Sequence, residues 1–305
     1  MPNWKTLVDE VNTLKAAGSP YDVIRLRYLG KLHEHTNRNT IVYYSGWLQK
    51  PQVIYAGLGQ LFSINDNDKN GFMSAIHELD RTLGLDLILH TPGGEISATE
   101  SLVDYLRSMF GTDIRAIVPQ LAMSAGTMIA CACKMILMGK QSSLGPIDPQ
   151  IGGIAAHGIV EEFEQARKEI LADPNTIPLW QPIIAQYEPT FVGECEKAIE
   201  LSREMVREWL KTGMFEEYDD ANNKANRVVQ RLASHSLTKT HDRHLSMKRV
   251  GELGLTVAAL EADDMLQDLV LSVHHACILT LTETGACKII ENHRGAASII
   301  GVDVN

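Results

Sequence analysis

The stretch LDLILHTPGG, residues 85–94, decides the fold, because a run of apolar residues there ends abruptly in a glycine-rich turn. About thirty residues later the pattern returns, with apolar residues at 114–118 followed by AMSAGT at 122–127. The intervening segment predicts a helix, since apolar residues from Leu102 to Phe110 recur at the three- and four-residue spacing of one helical face. Strands that are apolar on both faces and alternate with helices indicate parallel pairing through right-handed crossovers. The stretch therefore predicts an α/β fold.

The segments on either side of this stretch extend the pattern. Apolar residues at helical spacing from Leu7 to Leu14, and the segment 21–32, predict two helices ahead of the core. Residues 41–44 are β-branched and aromatic and predict the first strand. A helix is expected at 72–83 and a further strand at 135–138. We assign the α/β core to residues 40–150.

The chain after the core is mostly helical from Gly158 onward. An amphipathic helix is expected at 194–211, and the polar stretch 213–240 is interpreted as an exposed loop or helix rim. Two apolar runs, 276–282 and 286–291, predict strands near the C-terminus.

Composition and charge narrow the class of protein. The 305 residues carry 28 basic and 38 acidic side chains, a net charge of −10, which argues against a nucleic-acid binder that must neutralise phosphates. No uncharged apolar run approaches the ~20 residues of a membrane span, and residues 1–15 lack the pattern of a secretory signal. Five cysteines, an odd number without C-x-x-C spacing, favour reduced thiols. We expect a cytoplasmic protein.

The two turns that follow the strands carry groups that suit acyl-transfer chemistry. The turn 91–94 presents glycine amides at the carboxyl edge of the sheet, where open α/β sheets bind ligands. Ser124 begins a helix, at the positive end of the helix dipole. An amide from Gly93 or Gly94, together with that of Ala125, can hold an oxyanion. Taken singly, Ser124 is equally typical of a helix cap and the two glycines of a tight turn.

Three segments together, LILHTPGG (87–94), AMSAGTMIACA (122–132) and MGKQSSLGPIDPQIGG (138–153), resemble the Clp-fold serine peptidases. Within these, the chain is most similar to the serine dehydrogenase proteinase (SDH) group, relatives of signal peptide peptidase A and the Clp protease. The resemblance is close over 85–153 and loose over 40–256.

The resemblance implies an α/β fold of the Clp/crotonase-like type, a spiral of βαβ units with a mostly helical C-terminal part. It implies Ser124 as the nucleophile, an oxyanion hole from Gly93 or Gly94 with Ala125, and self-assembly into rings or stacked oligomers. The corresponding division of the chain is a helical extension at 1–40, the catalytic domain at 41–256 and a strand-containing segment at 257–305.

The sequence departs from the Clp protease at the general base. Asp148 occupies the position of that protease's histidine, and a carboxylate with a pKa of ~4 is a poor base for a serine hydroxyl. In signal peptide peptidase A and its relatives a lysine several dozen residues after the serine takes the proton, which points to Lys168, 44 residues after Ser124. Lysine acts as a base only where burial lowers its pKa. Glutamates at 161, 162 and 164 equally favour a solvated charged helix face.

A second candidate for the base lies in the segment HDRH, residues 241–244. It resembles the segment in which the Clp protease carries its triad aspartate, which places Asp242 there with His241 beside it. A histidine with a pKa near ~6.5 is a natural base at neutral pH, so His241 and His244 both stay open. The same segment has the spacing of a metal pair but lacks an evident third ligand. We expect no metal and no cofactor.

These observations predict a serine endopeptidase that hydrolyses polypeptides and forms homo-oligomers, without nucleic-acid partners. One alternative is a crotonase-type acyl-coenzyme A enzyme on the same fold, against which Ser124 argues, because enolate chemistry needs no serine nucleophile there. The other is a non-catalytic assembly subunit of the same fold, which Asp148 at the histidine position makes credible.

Overall fold

The computed structural model of the protein describes residues 4–14, 19–233 and 243–302. Its strands are β1 (Asn39–Ser45), β2 (Leu85–His90), β3 (Ile114–Val118), β4 (Leu121–Ala122), β5 (Met135–Met138), β6 (Ser143–Leu144), β7 (Gln150–Ile151), β8 (Ile154–Ala155), β9 (Leu245–Ser246), β10 (Val257–Ala259), β11 (Ala286–Asn292) and β12 (Ala297–Gly301). Its longer helices are α1 (Trp4–Leu14), α2 (Pro20–Thr36), α3 (Asn67–Ile76), α4 (Ile96–Phe110), α5 (Ala125–Cys131), α6 (Ala156–Ala172), α7 (Ile177–Ile184), α8 (Phe191–Thr212), α9 (Ala221–Leu232), α10 (Met247–Leu253) and α11 (Asp264–Glu283).

The main sheet has seven strands in the order β10-β5-β3-β2-β1-β11-β12. The five strands from β10 to β1 are parallel, while β11 and β12 are added antiparallel at one end. Helices α4 and α5 lie between successive parallel strands, as crossover connections require. The predicted α/β fold with a mostly parallel sheet is confirmed.

Helices cover both faces of this sheet, which explains why its central strands are apolar on both sides. One face packs against α2 and α11, with α1 outside them. The other face packs against α3, α4, α5, α8 and α9. Strand β2 is buried along its whole length.

Strand β2 also buries a charge. Asp86 is fully buried and accepts hydrogen bonds from Arg115, at 2.7 and 2.6 Å, and from Arg38, at 2.8 Å. Both guanidinium groups reach the edge of the protein, so the carboxylate is compensated at the end of the strand opposite to the glycine turn.

Two smaller elements lie beside the sheet. Strands β4, β6 and β9 form a three-stranded sheet in that order, in which β6 joins the other two. Helices α6 and α8 pack on each other through a small apolar cluster of their own that includes Ile159, Cys195 and Ile199. Helix α7 connects them and buries none of its residues. We call this unit, residues 150–204, the helical arm.

Several predicted elements are confirmed, and others are wrong. The helices ahead of the core and the strands at 41–44, 135–138 and 286–291 occur as expected. Residues 276–282 form the last part of helix α11 instead of a strand. The helix expected at 72–83 begins at Asn67 and ends at Ile76, and Glu78 follows with a positive φ of 66°.

Helix α11 is long and apolar enough to cross a membrane by length and composition, in contrast to the expectation from the sequence. However, 67% of its most apolar window is buried inside the protein, between α1 and α2 on one side and the sheet on the other. This is the environment of a core helix.

Candidate active site

Two loops meet at the carboxyl ends of β2 and β3. Because these strands are parallel neighbours, the turn 91–94 and the segment 121–124 leave the same edge of the sheet. Thr91 ties them together: its N–H donates to Leu121 O at 3.1 Å, and its carbonyl accepts from Met123 N–H at 3.0 Å. The sequence motifs are thereby joined by backbone hydrogen bonds.

Ser124 stands in a strained turn between β4 and α5. Its φ of 50° and ψ of −118° match the first central position of a type II′ turn, which glycine normally occupies. The turn is closed by Gly126 N–H, which donates to Met123 O at 2.8 Å. Such a conformation costs a serine on the order of 1–3 kcal/mol, and strain of this kind clusters at functional sites. The Ser124 hydroxyl makes no capping bond to α5, so the cap interpretation does not account for the residue.

Gly93 packs directly against this turn. A Cβ atom added to it would lie 2.7 Å from Ser124 Cβ, 2.9 Å from Met123 O and 3.0 Å from Ala125 N, and its φ is +106°. Gly145 approaches from another side, since its Cβ would lie 3.1 Å from Ser124 N. Small residues thus let two other segments of backbone approach Ser124 closely.

The glycine turn and helix α5 direct amides toward the same region. Ala125 is the first residue of α5, so its N–H has no acceptor within the helix. The Gly93 N–H donates to Thr91 Oγ1 at 3.1 Å. Of the two glycine amides considered from the sequence, this leaves Gly94 as the better partner for Ala125 in holding an oxyanion.

A cavity of about 640 Å³ opens in front of Ser124. Among the described parts of the chain, its wall contains both glycines, Ser124 and Ala125, together with side chains from α4, the arm and the segment before α3. The apolar lining side chains are Ile96, Met128, Ile147, Ile151 and Leu201, and the polar ones are Gln60, Ser63, Glu95, Ser97 and Gln150. Reasoning from the sequence missed the contribution of the arm, since nothing in its pattern places α8 beside the glycine turn.

The candidates for the base are not brought to this cavity. Lys168 lies on the exposed face of α6, near Glu164, and does not line the cavity. His244 is exposed and also does not line it. His241 and Asp242 lie outside the described residues. The described lining residues include no lysine and no histidine, so the identity of the base stays a prediction.

Strand β9, which directly follows His244, is nevertheless anchored near Ser124. Leu245 in β9 pairs with Leu144 in β6, and β6 in turn pairs with β4, two residues before Ser124. Gly145, next in the chain, donates its N–H to Thr127 Oγ1 of α5 at 2.9 Å. Asp148, at the position of the Clp protease's histidine, is 1% exposed. Residues 243 and 244, the described part of the HDRH segment, therefore lead into the sheet that supports the serine.

No group of three or more His, Cys, Asp or Glu side chains suited to a metal ion occurs in the described ranges. His274 and His275 lie in the middle of helix α11, directly before the residues 276–282 that the sequence assigned to a strand.

The sequence profile of the ClpP-like SDH-type serine proteinases matches residues 21–273. An uncharacterized protein of Methanocaldococcus jannaschii is 33% identical over 194 residues, which make up 64% of this chain and 59% of the relative. A second uncharacterized protein of the same organism is 30% identical over 237 residues, 78% of this chain and 75% of the relative. The chain thus spans about three fifths of the length of the first of these relatives. The profile covers most of the chain, including both glycines and Ser124, and the mostly parallel α/β sheet agrees with it. The chain belongs to the family of ClpP-like SDH-type serine proteinases.

Proposed function

We propose that the protein is a serine peptidase in which Ser124 attacks the carbonyl carbon of a peptide bond. The observation that carries this proposal is the strained type II′ turn at Ser124, packed against Gly93 and open to the cavity. A helix cap or a structural serine has no need of that conformation, whereas a nucleophile on a sharp strand-to-helix turn does. Membership of the family supports the same activity.

The reaction that this site supports proceeds in two steps. As Ser124 Oγ bonds to the carbonyl carbon, its proton passes to the base, and the carbonyl oxygen becomes an oxyanion held by the Gly94 and Ala125 amides. The carbon–nitrogen bond then breaks, and the amine leaves with that proton. Water attacks the resulting ester, gives its proton to the base and releases the acid, and Oγ recovers a proton.

For the base, we favour the segment 241–244 over Lys168. Lys168 is exposed, and a lysine must be buried to act as a base near neutral pH. His244, although it too is exposed, directly precedes β9, which pairs beside the loop that contacts Ser124. A histidine, unlike a lysine, needs no burial to accept a proton near neutral pH. We therefore propose His241 or His244 as the proton acceptor, with Lys168 as the alternative.

A fluorophosphonate probe tests the nucleophile, because it bonds covalently to activated serines. We expect one adduct, on Ser124, that disappears in Ser124→Ala. Ser97 provides a matched control, since it is exposed and lines the same cavity on α4. Labelling should persist in Ser97→Ala. An adduct on Ser97, or no adduct on the folded wild type, would contradict the proposal, and the latter would favour the non-catalytic assembly role.

The base is identified by the same probe and a pH profile. Labelling that falls in His241→Ala or His244→Ala but persists in Lys168→Ala supports a histidine, and the wild-type rate should then rise with pH, because only the neutral form of a base accepts a proton. Loss of labelling in Lys168→Ala alone would return the role to the lysine.

We also propose that the protein self-associates through the helical arm. Helix α7 exposes Leu179 (69%) and Ile177 (45%), and Leu171 at the end of α6, close in the chain, is 74% exposed. Apolar residues gathered in this way mark interaction surfaces. Sedimentation of the wild type and of Leu171→Glu/Leu179→Glu tests this: the wild type should form a discrete oligomer and the variant smaller species. A monomeric wild type would contradict it.

A further inference from the structure

Ile64 holds the glycine turn from the side opposite to Ser124. Its N–H donates to Gly93 O at 2.8 Å, and its carbonyl accepts from Glu95 N–H at 2.9 Å. Gly94 lies between these two bonds, and a Cβ on it would sit 2.2 Å from Ile64 N. The direction of the Gly94 amide is therefore set by the position of the Ile64 backbone.

A buried ion pair fixes the residues on both sides of Ile64. Lys288 Nζ donates to Ser63 O at 2.7 Å, and Asp68 accepts from Asn65 N–H at 3.0 Å. The two side chains also bind each other, at 2.7 and 3.0 Å, and each is no more than 1% exposed. The ammonium and the carboxylate thus bind each other, and each also makes one hydrogen bond to the backbone next to Ile64.

This ion pair is attached to the main sheet. Lys288 belongs to β11, and Tyr43 of β1 donates its hydroxyl to Asp68 at 2.7 Å. Ser45, also in β1, donates to Phe62 O at 2.7 Å. The segment 62–65 is therefore tied to two neighbouring strands. Buried ion pairs contribute little net stability compared with apolar residues of the same volume, so stability alone does not explain this one.

We propose that the Asp68–Lys288 pair positions the backbone for oxyanion binding. The pair fixes Ile64, and Ile64 orients the Gly94 amide toward the site of reaction. The inference rests on the proposed peptidase function. Lys288 is a positioning residue, since it touches the loop only through Ser63 and Ile64. It also lies beyond residues 21–273, the range that matches the family.

Lys288→Met tests the proposal, because methionine keeps a similar length and loses the ammonium. Arg25→Met is the matched control: Arg25 is also fully buried and pairs with Glu291 on the same strand at 2.6 Å, but its other partners, Thr280 and Asp22, lie on α11 and α2. Both variants lose one member of a buried ion pair on β11. Only one of those pairs touches the segment before the glycine turn.

Each variant is characterised in three ways. Steady-state kinetics with a peptide substrate give kcat and KM, urea unfolding gives the stability, and hydrogen exchange is followed at the Ile64 and Glu95 amides. We expect Lys288→Met to lower kcat by roughly 10- to 100-fold with KM within about 2-fold, since small misplacements of catalytic groups have effects of that size. Exchange at both amides should accelerate. Arg25→Met should lose similar stability and leave kcat and these two amides unchanged.

Equal losses of kcat in both variants, or unchanged exchange in folded Lys288→Met, would overturn the proposal. If Lys288→Met does not fold, Asp68→Asn/Lys288→Met removes both charges and should restore folding without restoring kcat; restored kcat would also overturn it. Failure of the peptidase function is seen separately, as a wild type without hydrolysis, and the exchange comparison then still decides whether the pair holds the loop.

Discussion

Gly93 is a position where the geometry of the site allows little change, and Gly93→Ala tests this directly. The added Cβ would lie 2.7 Å from Ser124 Cβ and 3.0 Å from Ala125 N, at a φ of +106° that L side chains rarely adopt. The unfavourable backbone conformation costs on the order of 1–3 kcal/mol. The overpacking against a rigid turn costs about 1–3 kcal/mol more. We expect a total loss of stability of roughly 2–6 kcal/mol.

Gly57→Ala separates these two contributions. Gly57 also has a positive φ, +82° with ψ 9°, but nothing lies within 4 Å of the Cβ position. Its substitution should cost only about 1–2 kcal/mol, the backbone part alone. Urea unfolding of both variants gives the difference that is due to contact with Ser124 and Ala125.

The same substitution should also remove the reactivity of Ser124. Relief of the contact must move Ser124 or Ala125, and a displacement near 1 Å costs about 100-fold in rate. We therefore expect fluorophosphonate labelling of folded Gly93→Ala to slow at least that much, with Gly57→Ala unchanged. The reasoning is refuted if Gly93→Ala labels at the wild-type rate, or if both variants lose equal stability.

Three further predictions concern other parts of the molecule. Burial lowers the pKa of His90 to about 3, so below pH ~6.5 this residue binds a proton in the unfolded chain but not in the folded protein. The free energy of unfolding should therefore fall as pH decreases, by about 2 kcal/mol from this residue at pH 5. In urea titrations at several pH values, His90→Phe should reduce this dependence of stability on pH. Asp86→Ala leaves two guanidinium groups without their shared buried carboxylate and should lower the free energy of unfolding by about 3 kcal/mol. Asp113→Ala removes only an exposed partner of Arg38 and should lower it by less than about 1 kcal/mol. Burial raises the pKa of Cys133 to about 12, and all five thiols are buried, so a thiol reagent such as Ellman's should react only as the protein unfolds.

Each of these has a clear contrary result. A pH slope that is the same in His90→Phe would show that the ring is not kept neutral by burial. Equal losses in the two aspartate variants would show that burial of Asp86 does not matter. Fast reaction of a thiol in the native state would show that the core around the cysteines opens readily.

The elements of the fold that could be predicted are those whose sequence pattern lies within one short segment of the chain. Strands 85–90 and 114–118 were predicted because apolar runs of strand length end in turn residues, and the same logic located the glycine turn and Ser124. The end of α11 was predicted wrongly for a physical reason. Residues 276–282 are buried on most sides, so their apolar pattern lacks the helical period, and isoleucine and threonine there favour a strand.

The contacts of the site that join residues far apart in the chain leave no pattern within a single segment, so they could not be predicted. Lys288 and Asp68 are 220 residues apart in the chain and meet only because β11 lies beside β1. The type II′ turn at Ser124 likewise could not be predicted from the segment AMSAGT, because contacts with Thr91 and Gly93 of the neighbouring loop impose it. The distance of Lys168 from Ser124 along the chain does not say which face of its helix is buried, so the sequence alone could not show that its side chain is exposed.

The position of β11 beside β1 has a consequence for the order of events during biosynthesis. A nascent chain that has left the ribosome only as far as residue 256 already contains Ser124 and the glycine turn, but not the strand that completes the sheet next to β1. The segment 62–65 then lacks the anchor that Lys288 supplies. We expect the nucleophile to become competent only after β11 has been synthesised and has paired with β1, so a nascent chain that lacks β11 would not act on the unfolded polypeptides around it.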